Sequence, residues 1–266
     1  MGLSPGLDFE TKLFFKPDAA ALLERELSKP GYVVKSINIG GNTDPYQPAE
    51  RDLQITRGVL KVLQRFNHPF SIITKSGLIA RDADILGEMG ARGLAKTFVS
   101  ITTLDRGLAR AMEPRAATPQ RRLEAVQALT QAGAPTGVMF APAIPGLNDH
   151  EMEAVLGEAA NAGAVAAGFL VLRLPLEIKD LFYEWLEAER PDRASRVRSL
   201  IRQTRGGRDY DADWSQRMKG TGPIAELLSQ RFGAACRRLG LNAARLPLRT
   251  DLFRLPPKAG DQIELF

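Results

Sequence analysis

The amino-acid sequence predicts an α/β fold in which parallel strands alternate with helices. Five short runs of β-branched and aromatic residues are separated by amphipathic stretches of ten or more residues, a pattern typical of βαβ units. The first run ends in an unusual loop, Gly40-Gly41 followed by small polar side chains at 42–44. Ligands of parallel α/β proteins bind beyond the carboxyl ends of strands. This loop is therefore the first candidate for a functional site.

The first predicted element is a helix, because Pro17 precedes an apolar-periodic stretch that stops before Pro30-Gly31. A run rich in valine and isoleucine then predicts a strand over 33–39. Pro48 is well placed as the first residue of a long helix that reaches Phe66. Similar runs predict the following strands at Phe70–Lys75, Thr97–Thr102, Thr136–Ala141 and Ala166–Leu172.

The intervening helices are predicted from apolar residues at helical spacing and from caps such as Thr118. They span Asp82–Ala91, Leu104–Met112, Pro119–Gln131 and Asp149–Ala162. Near Leu174-Pro175 the alternation stops, and the sequence then predicts only helices, at Ile178–Glu189, Asp192–Gln203 and Pro223–Leu239. We therefore expect an α/β core over residues 1–175 and a helical C-terminal extension over 176–266 packed on this core.

The composition excludes several classes of protein. No apolar run approaches the ~20 residues that span a bilayer, and no signal peptide is visible, so the sequence favours a cytoplasmic protein without a membrane partner. The single cysteine, Cys236, excludes an internal disulfide, and with only His68 and His150 it makes no recognisable zinc ligand set. The net charge of +5 mildly favours an anionic partner, although a basic surface without a partner would give the same value.

Six short motifs occur in order along the chain and together carry a resemblance. They are Gly-Gly-Asn-Thr-Asp-Pro-Tyr-Gln at 40–47, Thr-Lys-Ser at 74–76, Ser-Ile-Thr-Thr at 100–103, Glu-Pro-Arg-Ala-Ala-Thr-Pro at 113–119, Ala-Pro-Ala-Ile-Pro-Gly-Leu-Asn-Asp at 141–149 and Arg-Gln-Thr-Arg-Gly-Gly at 202–207. The chain resembles the radical S-adenosylmethionine (SAM) superfamily, in the group related to spore photoproduct lyase and often called DNA-repair-photolyase-like. The resemblance implies a partial (β/α)6 TIM-like barrel that binds SAM at the carboxyl ends of its strands.

The sequence departs from this family in one feature. Family members hold a [4Fe–4S] cluster through three cysteines of a Cys-x3-Cys-x2-Cys loop after the first strand, and neither that loop nor that strand is found here. The expectation is an N-terminally truncated chain, or a mis-assigned start, without metal ligands. The resemblance thus implies a radical SAM enzyme of unknown substrate. Reductive cleavage of SAM to a deoxyadenosyl radical is expected only of a chain with the cysteines, and no catalytic residue is assigned.

The resemblance places the first cofactor contacts in the loops after the first two strands. Lys75 would meet a carboxylate of the cofactor or substrate, although a strand-end lysine that extends to solvent is the other reading. Carbonyl, hydroxyl and carboxylate groups in the loop at 41–44 are suitable acceptors for the ammonium of the methionine part of SAM. An Asx turn before the predicted helix would also explain the small polar residues of this loop. The expected contacts of the methionine ammonium are Gly41, Asn42, Thr43 and Asp44.

Further cofactor contacts are expected after the third and fourth strands. Ser100 and Thr102 share one face of their strand and would bind the ribose, unless they bond to neighbouring backbone. Ile144 and Gly146 lie in the loop that would pack on adenine, although turn chemistry alone could explain this proline-rich segment.

Arginines make up the remaining candidates. Arg115 could pair with a carboxylate bidentately, or form a structural pair with Glu113 or Asp105.

Basic residues interleaved with aromatic ones are typical of nucleic-acid-binding surfaces, although a solvated helix face has the same composition. Such a segment lies at 193–219 and contains Arg193, Arg196, Arg198, Arg202, Arg205, Arg208, Tyr210, Trp214, Arg217 and Lys219.

Two other functions stay open on the sequence alone. The first is a cluster-independent (β/α) lyase or aldolase in which Lys75 is the nucleophile. The second is a non-enzymatic nucleic-acid-binding module built on a degenerate barrel.

Overall fold

The computed structural model describes residues 12–210, 218, 220–245 and 247–257. Its centre is a sheet of five strands in the order β1-β2-β3-β4-β5, and every neighbouring pair is parallel. Because consecutive strands are neighbours and all run the same way, all carboxyl ends meet at one edge of the sheet. The strands are β1 Ile37–Ile39, β2 Phe70–Thr74, β3 Ala95–Ser100, β4 Thr136–Ala143 and β5 Ala166–Val171.

Helices connect the strands and continue after the last of them. In chain order they are α1 Ala19–Leu27, α2 Glu50–Leu53, α3 Ile55–Arg65, α4 Ala83–Ala91, α5 Arg106–Met112, α6 Pro119–Gln131, α7 Met152–Asn161, α8 Ile178–Glu189, α9 Pro191–Gln203 and α10 Gly222–Leu239. Two 3-10 turns, Gly77–Asp82 and Asp149–Glu151, precede α4 and α7. Within the part of the chain that the structure describes, no helix is long and apolar enough to cross a bilayer.

The apolar side chains form two clusters. The larger one lies between the sheet and its helices and includes residues of α10, among them Leu228 and Cys236. The smaller one joins Ile144 and Leu147, after β4, to the buried faces of α8 and α9. The C-terminal helices therefore pack directly on the α/β core, while the division of the chain at residue 175 stays a prediction.

One predicted helix differs in the structure. The segment from Pro48 to Phe66 is broken into α2 and α3 at Gln54, whose φ of 48° lies in the left-handed region. The buried Glu50 carboxylate accepts hydrogen bonds from the Thr56 amide at 3.1 and 3.0 Å, which satisfies a donor at the start of α3. The break thus replaces helical hydrogen bonds by a side-chain cap, which residue periodicity alone does not reveal.

Several strand boundaries also differ from the prediction, and β3 covers Ala95–Ser100, so Thr102 lies after the end of this strand. β1 is short and begins at Ile37, so Val33 lies outside the strand and is exposed. Among the described residues no strand precedes β1, which forms one edge of the sheet. β4 is longer than predicted and continues to Ala143 after an irregularity in its pairing with β5.

Candidate functional site

The loop after β1 lies against the end of β2, and a glycine makes this approach possible. Gly40 has a φ of 92°, and a Cβ atom at this position would lie 2.1 Å from the carbonyl oxygen of Ile73. Any other side chain would collide with the β2 backbone. Beside this contact is an open pocket of about 390 Å³, which is lined by Asn38, Gly40, Gly41, Asn42 and Thr43. The pocket therefore offers amide, hydroxyl and backbone groups to a small polar ligand.

Asp44 closes this loop onto β2 rather than lining the pocket. Its Oδ1 accepts hydrogen bonds from the Tyr46 amide at 2.9 Å and from the Thr74 hydroxyl at 2.5 Å. Its Oδ2 accepts the Lys75 amide at 2.7 Å. These contacts include the Asx turn that is the alternative reading of this residue. The predicted contact of Asp44 with an ammonium stays a prediction, whereas Asn42 and Thr43 are exposed at the pocket.

A network of charged side chains around the buried Asp82 contacts the segment after β1. The Asp82 carboxylate, which is 0% exposed, accepts hydrogen bonds from Arg57 at 2.7 Å, from Arg81 at 2.8 Å and from the Tyr46 hydroxyl at 3.0 Å. Arg81 also donates to the Glu50 carboxylate at 2.9 Å. Burial and the nearby Asp82 charge raise the pKa of Tyr46 far above its ordinary value. The network therefore ties the segment after β1 to the turn after β2.

A second charged group lies at the carboxyl ends of β2 and β3. Lys75 donates to one oxygen of Glu113, and Arg122 donates to the other at 2.5 Å. Burial alone would raise the pKa of Glu113, but the charges of Lys75 and Arg122 outweigh it and hold this pKa below its ordinary value. The side chain of Lys75 is thus engaged in an ion pair with Glu113. This geometry favours charge pairing over the alternative in which Lys75 is a nucleophile.

The two predicted ribose ligands are buried at the end of β3. Thr102 is 2% exposed, and its hydroxyl lies 3.2 Å from both the Glu113 carboxylate and the carbonyl oxygen of Ala141. Ser100 is also buried, and its carbonyl oxygen accepts a hydrogen bond from Arg122 at 3.0 Å. The hydrogen bond from Thr102 to the Ala141 backbone agrees with the structural alternative, in which these hydroxyls bond to neighbouring backbone. Binding of a ribose stays a prediction.

The predicted adenine loop is packed against the C-terminal helices. Ile144 is 0% exposed and belongs to the smaller apolar cluster. Gly146 has a φ of 81°, and a Cβ atom there would lie 2.8 Å from Leu200 of α9. Asn148 fixes the loop, because its amide group donates to the carbonyl oxygens of Thr102 and Pro142 at 2.8 and 2.9 Å. Ile144 offers no accessible surface in this arrangement, and its contact with adenine stays a prediction.

Arg115 lies in the turn between α5 and α6, where its side chain is exposed. Its neighbour Glu113 binds Lys75 and Arg122, and Asp105 caps α5 by accepting the amides of Gly107 and Leu108 at 2.7 and 3.1 Å. Glu113 and Asp105, the structural partners that the sequence offers for Arg115, therefore each bind other groups as well. Its proposed contact with a ligand carboxylate stays a prediction.

The basic segment at 193–219 is only partly available to a partner. Arg198 stacks on the Tyr183 ring at 4.3 Å, Arg202 pairs with Asp209 at 2.8 Å, and Arg205 is 2% exposed. Exposed arginines at 193, 196 and 208 stay candidates for binding nucleic acid. Three residues of the predicted surface, Trp214, Arg217 and Lys219, lie outside the described residues.

We expect any association of nucleic acid with this segment to weaken as salt concentration rises. Each phosphate neutralised by an arginine releases counterions, so log K should fall linearly with log salt, with a slope of about −0.9 for each phosphate contacted on a duplex. Fluorescence anisotropy of a labelled oligonucleotide measures this slope, and an Arg193→Ala, Arg196→Ala double variant should reduce it. No binding at low salt would contradict this part of the prediction.

A parallel sheet with a polar pocket at its carboxyl edge defines a class of α/β proteins that bind small molecules at that edge. The model of the Radical SAM superfamily matches residues 10–159, and the chain belongs to this superfamily. An uncharacterized protein of Mycobacterium tuberculosis is 34% identical over 205 residues, which are 76% of this chain and 60% of that relative. An uncharacterized protein of Methanocaldococcus jannaschii is 29% identical over 133 residues, which are 50% of this chain and 49% of the relative.

Solved structures agree on the fold. A tyrosine-to-phenylalanine mutant of spore photoproduct lyase has a TM-score of 0.51 at 16% identity, and the similarity covers 84% of this chain and 64% of that one. A cysteine-to-serine mutant of the same enzyme has a TM-score of 0.50 at 15% identity with the same coverage. The predicted α/β fold with a TIM-barrel-like parallel sheet is therefore confirmed. The chain spans about 60% of the length of the M. tuberculosis relative.

The residues of this chain do not fit the iron–sulfur cluster that the superfamily implies. A cluster of this kind needs several thiolate ligands, and the sequence contains one cysteine. Cys236 is buried on α10, where burial raises the pKa of its thiol. No group of three or more histidine, cysteine or carboxylate side chains that could hold a metal occurs among the described residues.

Proposed function

We propose that this chain binds SAM at the carboxyl edge of its sheet and is the cofactor-binding barrel of a radical SAM enzyme. The observation that carries the proposal is the open polar pocket formed by Asn38 and the loop at 40–43, in a chain whose residues 10–159 match the Radical SAM superfamily. Acceptors that line the pocket, together with Lys75 at the same edge of the sheet, suit the amino-acid end of SAM, because that end carries both an ammonium and a carboxylate.

The chain's own side chains would bind and orient the cofactor. Asn42 and Thr43 are exposed at the pocket, and their oxygens are suitable acceptors for the ammonium. Lys75 follows β2 at the same edge of the sheet, and its ammonium would pair with the carboxylate. Reductive cleavage of SAM to a deoxyadenosyl radical is the chemistry that a cluster supplies in this superfamily, and this chain does not provide the cysteines for it.

We expect the wild-type chain to bind SAM and the pocket variants Asn42→Ala and Thr43→Val to bind it about tenfold more weakly. The reason is that a hydrogen bond to a charged group contributes about 1.5–3 kcal/mol. Isothermal titration calorimetry measures the affinities. The matched control is Asn161→Ala, an exposed asparagine at the end of α7, which should leave the affinity unchanged. Absence of SAM binding by the folded wild-type chain would overturn the proposal.

We further expect that this 266-residue chain, reconstituted anaerobically with iron and sulfide, shows no stable iron–sulfur absorbance and does not cleave SAM. A single thiolate cannot replace the several ligands of a cluster. Visible absorbance, iron content and release of deoxyadenosine measure the outcome, with a radical SAM protein that carries its cysteine motif as the positive control. A Cys236→Ala variant should behave like the wild type. Cluster formation at one equivalent per chain would contradict this expectation.

A further inference from the structure

Three ionised side chains and one hydroxyl form a connected group at the ends of β2 and β3. Arg122 is 2% exposed, and each of its three guanidinium nitrogens donates a hydrogen bond, to the carbonyl oxygens of Ala117 and Ser100 at 2.8 and 3.0 Å and to Glu113 at 2.5 Å. Glu113 accepts from Arg122 through one oxygen and from Lys75 and Thr102 through the other. The carboxylate is thus held on both sides by buried protein groups.

Lys75 differs from the other members because its side chain is 36% exposed. Arg122 already supplies one cation to the Glu113 carboxylate, and Lys75 supplies a second one. The group as a whole contains two cations and one carboxylate, so it keeps an excess of one positive charge at the edge of the sheet. The amide of Lys75 is bonded to Asp44, which immediately follows the pocket residue Thr43. The backbone of Lys75 is therefore tied to the loop that lines the pocket, whereas its ammonium contacts Glu113 and is partly open to solvent.

We infer that Glu113 and Arg122 are positioning residues, which fix the Lys75 ammonium where it can pair with the carboxylate of a bound ligand. Arg122 orients Glu113, and Glu113 orients Lys75 without neutralising the group. The inference rests on the proposed function, and it adds two residues that act on the ligand only through Lys75. It also predicts a ligand preference, because a ligand with a carboxylate gains an ion pair with Lys75 that a ligand without a carboxylate cannot form.

A double-mutant cycle with two ligands tests this role. The ligands are SAM and 5′-methylthioadenosine, which lacks the amino-acid end. The variants are Lys75→Met, Glu113→Gln and their combination. The control is Arg121→Gln, because Arg121 is 74% exposed and its guanidinium pairs with the exposed Glu124. Titration calorimetry gives each affinity, and thermal unfolding shows that each variant is folded. If Glu113→Gln does not fold, Glu113→Asp replaces it in the cycle.

We expect Lys75→Met and Glu113→Gln each to weaken SAM binding about tenfold, the value of one charge-assisted hydrogen bond. Both should leave the affinity for methylthioadenosine within twofold, and the combined variant should be no weaker than either single one. The inference is overturned if Glu113→Gln still weakens SAM binding in the Lys75→Met background, if it weakens both ligands equally, or if it weakens neither. A wild-type chain that binds methylthioadenosine and SAM equally would also overturn it, whereas one that binds neither would reject the proposed function itself.

Discussion

Replacing Asp82 by alanine is expected to lower the free energy of unfolding by about 3–5 kcal/mol, because it removes the anion that Arg57 and Arg81 share. The carboxylate is 0% exposed and also accepts the Tyr46 hydroxyl at 3.0 Å. Without it, two guanidinium groups and a buried phenol lose their common partner. Chemical denaturation monitored by circular dichroism measures the loss. Because the same network holds the loop after β1, SAM binding should fall as well.

A matched control for this variant is Asp84→Ala. Asp84 pairs with the same Arg57 at 2.7 Å, but its side chain is 60% exposed. Exposed ion pairs contribute about 0–1 kcal/mol, so this variant should unfold nearly as the wild type does. Equal losses for the two variants would show that burial of the carboxylate is not the cause, and would contradict the role assigned to Asp82.

Replacing Gly40 by alanine is the second change with a large expected effect. The new Cβ atom would lie 2.1 Å from the Ile73 carbonyl oxygen and 3.0 Å from Pro45, at a φ of 92°. Relief of the collision would move the loop away from β2, and strain of this kind together with overpacking costs roughly 2–5 kcal/mol. We expect lower stability and a loss of SAM binding of more than tenfold, measured by denaturation and titration calorimetry.

Gly41 provides the control for the loop. A Cβ atom at Gly41 would have no neighbour closer than the Asn38 side chain at 3.8 Å, and Gly41 is exposed. The Gly41→Ala variant should therefore keep wild-type stability. If Gly40→Ala were equally stable, the close approach of the loop to β2 would not be a requirement of the fold.

The sequence predicted the elements better than their ends. Alternation of apolar runs with amphipathic stretches identified all five strands of the described sheet, because a parallel sheet covered by helices needs buried strands and one-sided helices. It did not show that the predicted helix after Pro48 is broken at Gln54. That break depends on the Glu50 carboxylate, which caps α3 while it also binds Arg81 from another element. Residue spacing along one segment carries no information on such a partner.

In the candidate site, too, the sequence singles out some residues and gives little or no sign of others. The glycines and polar residues at 40–44 stand out in the sequence, and the structure places a pocket there. The sequence suggests Glu113 only as a partner of Arg115, and it does not single out Arg122. Arg121 and Arg122 are adjacent in α6, yet one is 74% exposed and the other 2%. Only the rotation of α6 against the sheet decides which arginine is buried. The acidic residue Glu113, nine positions before Arg122, was a weak signal in the sequence for an ion pair between the two.

The sequence by itself determined the parallel α/β class, the glycine-rich loop that lines the pocket and the number of cysteines, because these follow from local patterns and from counting. The tertiary structure alone decided that Asp44 ties its loop to β2, that Ile144 is buried under the C-terminal helices and that Lys75 shares Glu113 with Arg122. Each of these contacts joins residues that lie far apart in the chain or on different elements. Their partners are therefore fixed by how the helices and loops pack on the sheet, and no local pattern encodes that packing.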